Sequence, residues 1–319
     1  MSTANLPLPI DAQIRFGIGV SATDGERAAA QVATTKQLGY QVMWAGDHVA
    51  FTGPVNDPLT QLSYLGALAP TLTFGTSVYL LPLRNPVATA KVVATLDRML
   101  GAGRFIFGVG VGGEFPREYQ ACGVPLRERG GRMNESIALI RRLWNEDRVA
   151  HRGKYFSFDE IRVLPKPLTP GGPPIWIGGR SEAALKRAAQ LGDGWMPYVI
   201  TAQKMAAGLD FIAQNAEAAG RKIERFGTGV LIFCTLDQTR ERALDIAAEH
   251  LSKRYAMNFR DPAKRYCALG RPEDVAAKIH EFIAVGARDF EMDIIATDRA
   301  ALDEQLARFA GEVIPLLRK

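Results

Sequence analysis

The chain is poor in residues that form disulfides or bind metals. Its 319 residues include only four histidines and three cysteines, Cys122, Cys234 and Cys267, with no C-x-x-C spacing. An odd number of scattered cysteines argues against a disulfide framework and favours thiols that act as small apolar side chains in a reducing compartment. We therefore expect a cytoplasmic protein. No group of His, Cys, Asp and Glu has metal-ligand spacing, so we predict no metal site.

Charge is not concentrated in runs either. The 39 Lys and Arg exceed the 34 Asp and Glu by five, but no block of five or six basic residues occurs. This distribution is typical of a solvated surface, so we do not expect nucleic acid as a partner. No Lys or Arg precedes Arg15 and no long apolar run follows the N-terminus, which argues against a secretory signal.

One uncharged stretch, residues 58–83, is long enough to cross a membrane. Pro70 and Pro82 interrupt it, and polar side chains recur along it. These polar residues are Gln61, Ser63, Thr71, Thr73 and Thr76. The pattern predicts a buried helix followed by a buried strand, and no association with membranes.

Short apolar, β-rich runs alternate with amphipathic helical patterns along the chain. We predict strands at 14–20, 41–45, 72–78, 104–109, 175–177, 194–196, 230–236 and 289–295. The predicted helices cover 24–38, 59–69, a segment from Pro86, 132–144, 181–190, 201–219, 238–255, 272–285 and 298–317. Residues 149–163, rich in aromatic and turn residues, predict a short hairpin. Eight strands that are each followed by a helix predict a parallel α/β sheet, and the length matches a (β/α)8 TIM barrel.

The competing fold is a doubly wound open sheet. That fold places a glycine-rich phosphate turn after its first strand, where this chain reads VSATDGE. The G-x-G-x-x-G match at 108–113 follows the fourth strand instead, so it is weak support for a dinucleotide site. We predict a TIM barrel with inserted loops and a short hairpin, formed as one domain by residues 1–319. Chemistry would then lie at the carboxyl ends of the strands.

Polar residues follow the second and third predicted strands. Asp47 and His48 come directly after the second, where an imidazole can move protons near neutral pH. Hydrogen bonding within their own loop is the alternative. Arg84 precedes the helix that begins at Pro86 and could bind an anion or a carboxylate, or lie at the rim. The small residues at 75–78 leave room for a flat group against the backbone.

Glycine-rich turns follow the fourth and fifth strands. Those at 108–113 could let a planar cofactor approach the backbone, and Glu114 just beyond is a candidate carboxylate or an exposed rim acid. The turn 178–181 combines two glycines, a cation, a hydroxyl and the free amides of a helix N-terminus, which favours phosphate binding. Trp195, near the sixth strand, is either an aromatic wall or core.

Taken together, these stretches resemble the bacterial luciferase-like family of flavin- and deazaflavin-dependent oxidoreductases. The matching segments are LGYQVMWAGDHV, TFGTSVYLLPLRNPVATAKVVATLD, GAGRFIFGVGVGGEF, RVLPKPLTPGGPPIWIGGRSEAAL and RAAQLGDGW. They occur in the family's order over residues 14–200 and are most similar to the F420-dependent subgroup. The chain departs from relatives that carry an aromatic residue after the fourth-strand glycines, since it has Gly113 and Glu114 there.

The resemblance implies a barrel whose mouth holds the ring of F420 or, alternatively, FMN. The ring would lie against Ser77 and Val78, where many members have a cis peptide, and His48 and Asp47 would neighbour its reactive atom as catalytic residues. The remaining implied cofactor contacts are Gly110, Gly112, Gly178, Gly179, Arg180 and Ser181. The implied substrate pocket consists of Trp44, Phe51, Tyr79, Glu114 and Trp195.

The resemblance favours an F420-dependent enzyme that transfers hydride to or from a small organic substrate. The alternatives are an FMN monooxygenase that uses O2, a non-catalytic barrel that binds ligands, and a phosphate-ester or nucleotide-sugar enzyme that uses the 178–181 turn without a flavin. The loops 48–58, 113–131 and 255–270 would select the substrate. Because the family commonly dimerises through its outer helices, we expect a homodimer.

Overall fold

Eight parallel strands close into a barrel, as the sequence predicts. The computed structural model describes residues 6–318. Its strands are β1 (Arg15–Gly19), β2 (Val42–Ala45), β3 (Thr73–Thr76), β4 (Tyr79–Leu80), β5 (Phe105–Gly110), β6 (Val149–Arg152), β7 (Ser157–Ile161), β8 (Ile175–Gly178), β9 (Gly194–Met196), β10 (Gly227–Leu236), β11 (Ala268–Gly270) and β12 (Asp289–Ile294). The barrel order is β1-β2-β3-β5-β8-β9-β10-β12, and the pairing of β12 with β1 closes it.

The helices pack around this barrel. They are α1 (Gly25–Gln37), α2 (Pro58–Leu68), α3 (Pro86–Leu100), α4 (Pro116–Ala121), α5 (Arg129–Asn145), α6 (Glu182–Leu191), α7 (Ala202–Ala218), α8 (Arg240–Tyr255), α9 (Arg260–Tyr266), α10 (Pro272–Ala284), α11 (Arg299–Arg308) and α12 (Ile314–Leu317). Most of the long helices begin where a short polar side chain accepts a hydrogen bond from a first-turn amide, which satisfies a donor that the helix leaves free. These caps are Asp24, Asp57, Asn85, Ser181, Thr201, Thr239 and Asp298.

The structure differs from the predicted elements in short segments. The predicted third strand, 72–78, ends as β3 at Thr76, and α4, α9, β11 and the two-residue strand β4 lie where no element was predicted. The predicted helix 298–317 is interrupted by a π-helical turn at Phe309–Val313. Elements of three to seven residues contain too few positions to display a hydrophobic period, so pattern analysis does not detect them.

The predicted hairpin is confirmed, because β6 and β7 pair antiparallel with His151 opposite Phe158. The uncharged stretch 58–83 forms α2, β3, β4 and a 3-10 turn of the barrel, as a buried helix followed by a buried strand. Within residues 6–318, no helix has both the length and the apolar character needed to cross a bilayer.

Two indole rings fill the interior of the barrel. Trp44 of β2 and Trp176 of β8 are almost fully buried, with ring centroids 6.0 Å apart. A Cβ on Gly75 would lie 2.3 Å from the Trp44 ring, and one on Gly227 would lie 2.1 Å from the Trp176 ring. Glycine at these inward positions makes room for the indoles. The barrel therefore has a solid floor, and a ligand must bind above it at the carboxyl ends of the strands.

Candidate active site

His48 follows β2 at the mouth of the barrel and is held by Glu118 of α4. Its Nδ1 lies 3.1 Å from Oε2 of Glu118. The same carboxyl group accepts the backbone N–H groups of Val49 and Ala50 at 2.7 and 3.0 Å. Glu118 thus fixes both the imidazole and the loop that carries it, although it lies on a different connection of the barrel.

The hydrogen bonds of Glu118 also determine the state of the imidazole. A carboxyl group that accepts two backbone N–H groups is acting as an acceptor, so Nδ1 of His48 carries a hydrogen toward it. In a neutral imidazole the other nitrogen, Nε2, is then an acceptor. His48 can therefore take up a proton at Nε2, and the carboxylate behind it stabilises the resulting cation.

Two phenylalanines hold the His48 ring from its sides. The Phe51 ring stacks on it at a centroid distance of 4.1 Å, and Phe115 meets it edge-on at 5.3 Å. His48 and Phe51 are both half-buried. Of the four aromatic residues predicted for the substrate pocket, Phe51 is the one that the structure brings next to His48.

Asp47 has a different setting from its neighbour. It is buried, and its carboxylate accepts the Leu80 N–H at 2.8 Å and forms an ion pair with Arg84 at 2.6 Å. Burial raises the pKa of Asp47, while the Arg84 guanidinium and the Leu80 amide act against that rise. The carboxylate that Arg84 binds is therefore Asp47, and this ion pair ties the end of β2 to the turn after β4.

Ser77 and Val78 lie at the mouth between β3 and β4, and the peptide bond between them is cis. The neighbouring glycines leave space next to the backbone, and in the structure this segment fills that space. A Cβ on Gly110 would lie 2.3 Å from Val78, and one on Gly178 would lie 2.7 Å from it. Gly112 makes room for Leu80 in the same way. These glycines shape the site by letting Val78 and Leu80 pack, and Ser77 and Val78 remain half-buried at the mouth.

The turn between β8 and α6 has the features of an anion site. Gly179 has φ +103°, and the Ser181 side chain caps α6 by accepting the Ala184 N–H. The first amides of such a helix have no partner within the helix and carry the positive end of its dipole. Arg180 is exposed beside them and donates from Nη1 to the Tyr198 carbonyl at 3.1 Å.

Glu114 and Tyr198 meet on another side of the mouth. The Tyr198 hydroxyl donates to Glu114 at 2.5 Å, and the Arg180 guanidinium lies 5.1 Å from the Tyr198 ring centroid. Burial and the nearby Glu114 carboxylate raise the pKa of Tyr198. Tyr198 therefore remains a neutral donor and connects the anion-binding turn with the exposed Glu114 carboxylate.

Below the mouth, β12 places a carboxyl group inside the barrel. Glu291 is opposite Gly17 of β1 and Leu231 of β10. Burial raises its pKa to about 8, while the nearby Ser77 hydroxyl acts in the opposite direction. Within residues 6–318, three buried polar atoms here lack a hydrogen-bond partner: Oε2 of Glu291, Oγ of Ser77 and Nε1 of Trp44.

The other three aromatic residues predicted for the substrate pocket lie in the core. Trp44 is part of the barrel floor. Tyr79 packs against Phe107 and under Arg84. Trp195 packs against Gly208 of α7, outside the barrel, and donates to the Gly179 carbonyl at 2.7 Å. Their burial makes them a support for the mouth, and we do not include them among the groups that contact substrate.

Three residues of the site were not found from the sequence: Glu118, Tyr198 and Glu291. Glu118 lies in a six-residue helix, and Tyr198 lies in a turn. Glu291 is the middle one of three acidic residues that alternate with apolar residues along β12 (DFEMDI), and acidic residues in a barrel strand were a usable signal. A groove of about 760 Å³ between α3 and the β6–β7 hairpin lies away from all of them. No group of three or more His, Cys, Asp or Glu within residues 6–318 could hold a metal ion.

These features together fit a flat ring that carries a phosphate. Ser77 and Val78 offer a narrow floor, the buried atoms beneath them need polar partners, and the Gly179–Ser181 turn offers amides and a cation. The fixed acceptor of His48 borders the same space.

The model of the family described as "Luciferase-like monooxygenase" matches residues 12–289. The chain is 27% identical over 316 residues to an F420-dependent glucose-6-phosphate dehydrogenase from Kineococcus radiotolerans, which covers 89% of this chain and 90% of the relative. It is also 27% identical over 328 residues to an FMNH2-dependent dimethylsulfone monooxygenase from Pseudomonas fluorescens, covering 92% and 83%.

A solved structure shares the fold over nearly the whole length. It is an F420-dependent secondary alcohol dehydrogenase in complex with an F420–acetone adduct, with a TM-score of 0.84 and 19% identity. The match covers 96% of this chain and 100% of that one. At this identity the likeness establishes the barrel architecture alone.

Proposed function

Because this chain belongs to the luciferase-like monooxygenase family, we propose that it is an oxidoreductase that uses F420 to transfer hydride to or from a small organic substrate. The observation that carries the proposal is the pairing of His48 with Glu118 at the barrel mouth where the turn before α6 also leaves helix N-terminal amides and a cation. The similarity to an F420-dependent dehydrogenase over 89% of the chain supports the choice of cofactor.

The cofactor would be held at two places. Its ring would lie on Ser77 and Val78, where Gly110 and Gly178 let Val78 pack closely into the barrel. Its phosphate would bind the α6 N-terminus, with Gly179 and Ser181 shaping the turn and Arg180 supplying a cation. Phosphate binding at Arg180 would compete with its present hydrogen bond to the Tyr198 carbonyl.

When bound, the deazaflavin supplies a ring carbon that donates or accepts hydride. His48 takes up or delivers the accompanying proton at Nε2, and the Glu118 carboxylate stabilises the charged imidazole. Phe51 and Phe115 hold the imidazole ring of His48 in place and exclude water from its sides. Asp47 acts indirectly, since its ion pair with Arg84 fixes the loop that carries His48.

Glu114 and Tyr198 provide the polar part of the substrate pocket. The pair offers a carboxylate acceptor and a hydroxyl donor within one hydrogen-bonded unit. A substrate with a hydroxyl or carbonyl group could exchange hydrogen bonds with either member. Phe51 supplies the apolar contact on the His48 side.

An FMN-dependent monooxygenase is the second candidate, supported by the similarity to the dimethylsulfone enzyme over 92% of the chain. The same floor and the same phosphate turn would hold FMN. The two candidates differ in the cofactor and in the need for O2, so binding and oxygen dependence separate them.

We also propose a homodimer formed through the outer helices. Four exposed side chains of α2 and α3 offer apolar surface for it. They are Tyr64, Leu68, Val92 and Met99. Light scattering after size exclusion tests this, and a monomer at micromolar concentration would contradict it.

The proposed function is tested by titrating the purified protein with F420 and with FMN at pH 7 and following fluorescence quenching. Saturable binding of F420 with weaker binding of FMN supports the F420 enzyme. The reverse preference favours the monooxygenase, and binding of neither favours a barrel that works without a flavin. Turnover of short secondary alcohols with F420, with and without O2, then tests hydride transfer.

A further inference from the structure

Glu291 is a buried acid that the mechanism above does not use. Its strand alternates between residues that face the helices, such as Phe290 and Met292, and residues that face the barrel interior, Glu291 among them. An ionisable residue inside a barrel is costly unless it has a partner or a function.

The side chain of Glu291 rises toward the mouth. Its Cα is level with Gly17, but its Oε1 lies only 3.4 Å from where a Cβ of Gly19 would stand, two residues farther along β1. The Glu291 carboxyl group thereby reaches the level just under Ser77. The Ser77 hydroxyl is near enough to lower the pKa of Glu291. Oγ of Ser77 and Oε2 of Glu291 are both buried and both without a hydrogen-bond partner among the described residues.

The deduction rests on the proposed function, which places the cofactor ring on Ser77 and Val78. We propose that Glu291 is a positioning residue of the cofactor site: as a neutral acid it supports Ser77 from below, and with it the floor on which the ring rests. Ionisation of Glu291 would place a negative charge under Ser77 and Val78 and alter how the Glu291 side chain supports Ser77.

The charges around Glu291 make the neutral state the ordinary one. Asp293, on the same strand, acts against its ionisation, while Arg254 of α8 acts in favour of it. Arg254 and Asp293 are paired with each other at 2.6 Å, so they largely cancel. The other neighbours named above, Ser77, Gly17, Gly19 and Leu231, carry no charge. Burial then dominates and raises the pKa of Glu291 to about 8.

The test is the pH dependence of cofactor binding, measured by fluorescence quenching between pH 6.5 and 9.5 with F420 and FMN. If the neutral acid is required, the dissociation constant of the wild-type protein rises about tenfold per pH unit above pH 8. Glu291→Gln, which mimics the neutral acid, keeps the affinity measured at pH 7 and loses this rise.

Asp293→Asn is the matched control, since it removes a second carboxylate from the same face of the strand. It keeps the pH-dependent rise but moves it to lower pH, because the unpaired Arg254 favours ionisation of Glu291. The inference is overturned if wild-type binding shows no break near pH 8, or if Glu291→Gln shows the same break as the wild-type protein. Binding of neither cofactor at pH 7 overturns the proposed function and this inference together, whereas tight binding without a break overturns the inference alone.

Discussion

The Glu118 carboxylate lies 3.1 Å from Nδ1 of His48, although 70 positions separate the two residues in the chain. The contact joins the loop after β2 to the short helix after β5. The sequence places His48 at the mouth, and the contact with Glu118 leaves its Nε2 as the acceptor nitrogen.

Glu118→Gln should lower the turnover number by about tenfold to a hundredfold, because the amide keeps the size of the side chain but not the charge that stabilises protonated His48. Steady-state kinetics with saturating cofactor measure this. Glu135→Gln is the matched control: Glu135 binds Nε2 of His151 at 3.0 Å and accepts three backbone amides, but in the hairpin. Equal losses in both variants would refute the role of Glu118.

His48→Ala should reduce turnover by about 10² to 10⁴ while changing the cofactor dissociation constant only a few-fold. His48 would border the cofactor ring, but it belongs neither to the Ser77–Val78 segment under that ring nor to the turn proposed to bind phosphate. Cofactor titration and single-turnover kinetics on the same preparation separate the two effects. Loss of binding with unchanged turnover per bound cofactor would assign His48 a purely structural role.

Arg180→Ala should weaken cofactor binding by about tenfold, as expected for a lost charge-assisted contact to a phosphate. Lys186→Ala is the control, since Lys186 is exposed on α6, the helix that follows this turn, and is paired with Glu182. Titration with F420 and FMN gives both dissociation constants. If the two variants bind equally well, Arg180 does not contact the phosphate.

Gly227→Ala should lower the free energy of unfolding by about 1 to 3 kcal/mol, because the added Cβ would overlap the Trp176 ring in the barrel floor. Gly53→Ala, where nothing lies within 4 Å of the added Cβ, should be neutral or slightly stabilising. Urea denaturation of both variants measures the difference. A neutral Gly227→Ala would show that the indoles can shift without cost.

Glu291 should make the fold less stable as pH rises. Its pKa is about 8 in the folded state against an ordinary value of 4.5, so the unfolded chain ionises first. The cost therefore grows from about pH 4.5 and is complete above about pH 8. At pH 9, Glu291→Gln should be more stable than the wild-type protein by at most a few kcal/mol. At pH 4 the two should be equal, as chemical denaturation at both pH values will measure.

Much of the barrel could be predicted from local pattern. Each of the eight strands was identified within a few residues, because buried parallel strands are short apolar runs bounded by turns and helices. Pro86 and Ser181 indicated where two of the helices begin. The turn at 178–181, for which we propose phosphate binding, is likewise local, since its glycines, cation and cap are adjacent in the chain.

The partners of these local features could not be predicted in the same way. Arg84 was expected to bind an anion or carboxylate, but its pairing with Asp47 is a contact between two strand ends. The sequence predicts that Gly110 leaves space for a planar cofactor and that Gly178 belongs to a phosphate turn, whereas in the structure Val78 packs against both glycines. Trp44 and Trp195 resemble pocket residues in sequence, and only the direction of their side chains assigns them to the core.

The sequence by itself determined the alternation of strands and helices, the polar loops that follow the strands and the chemistry of one turn, because these depend on residues within a few positions of each other. Tertiary structure alone decided which of those residues meet. Barrel closure brings Glu118 to His48, Tyr198 to Glu114 and Glu291 under Ser77. Each of these contacts joins segments tens to hundreds of residues apart, and no local propensity or spacing records which carboxylate a folded chain will place beside a given partner.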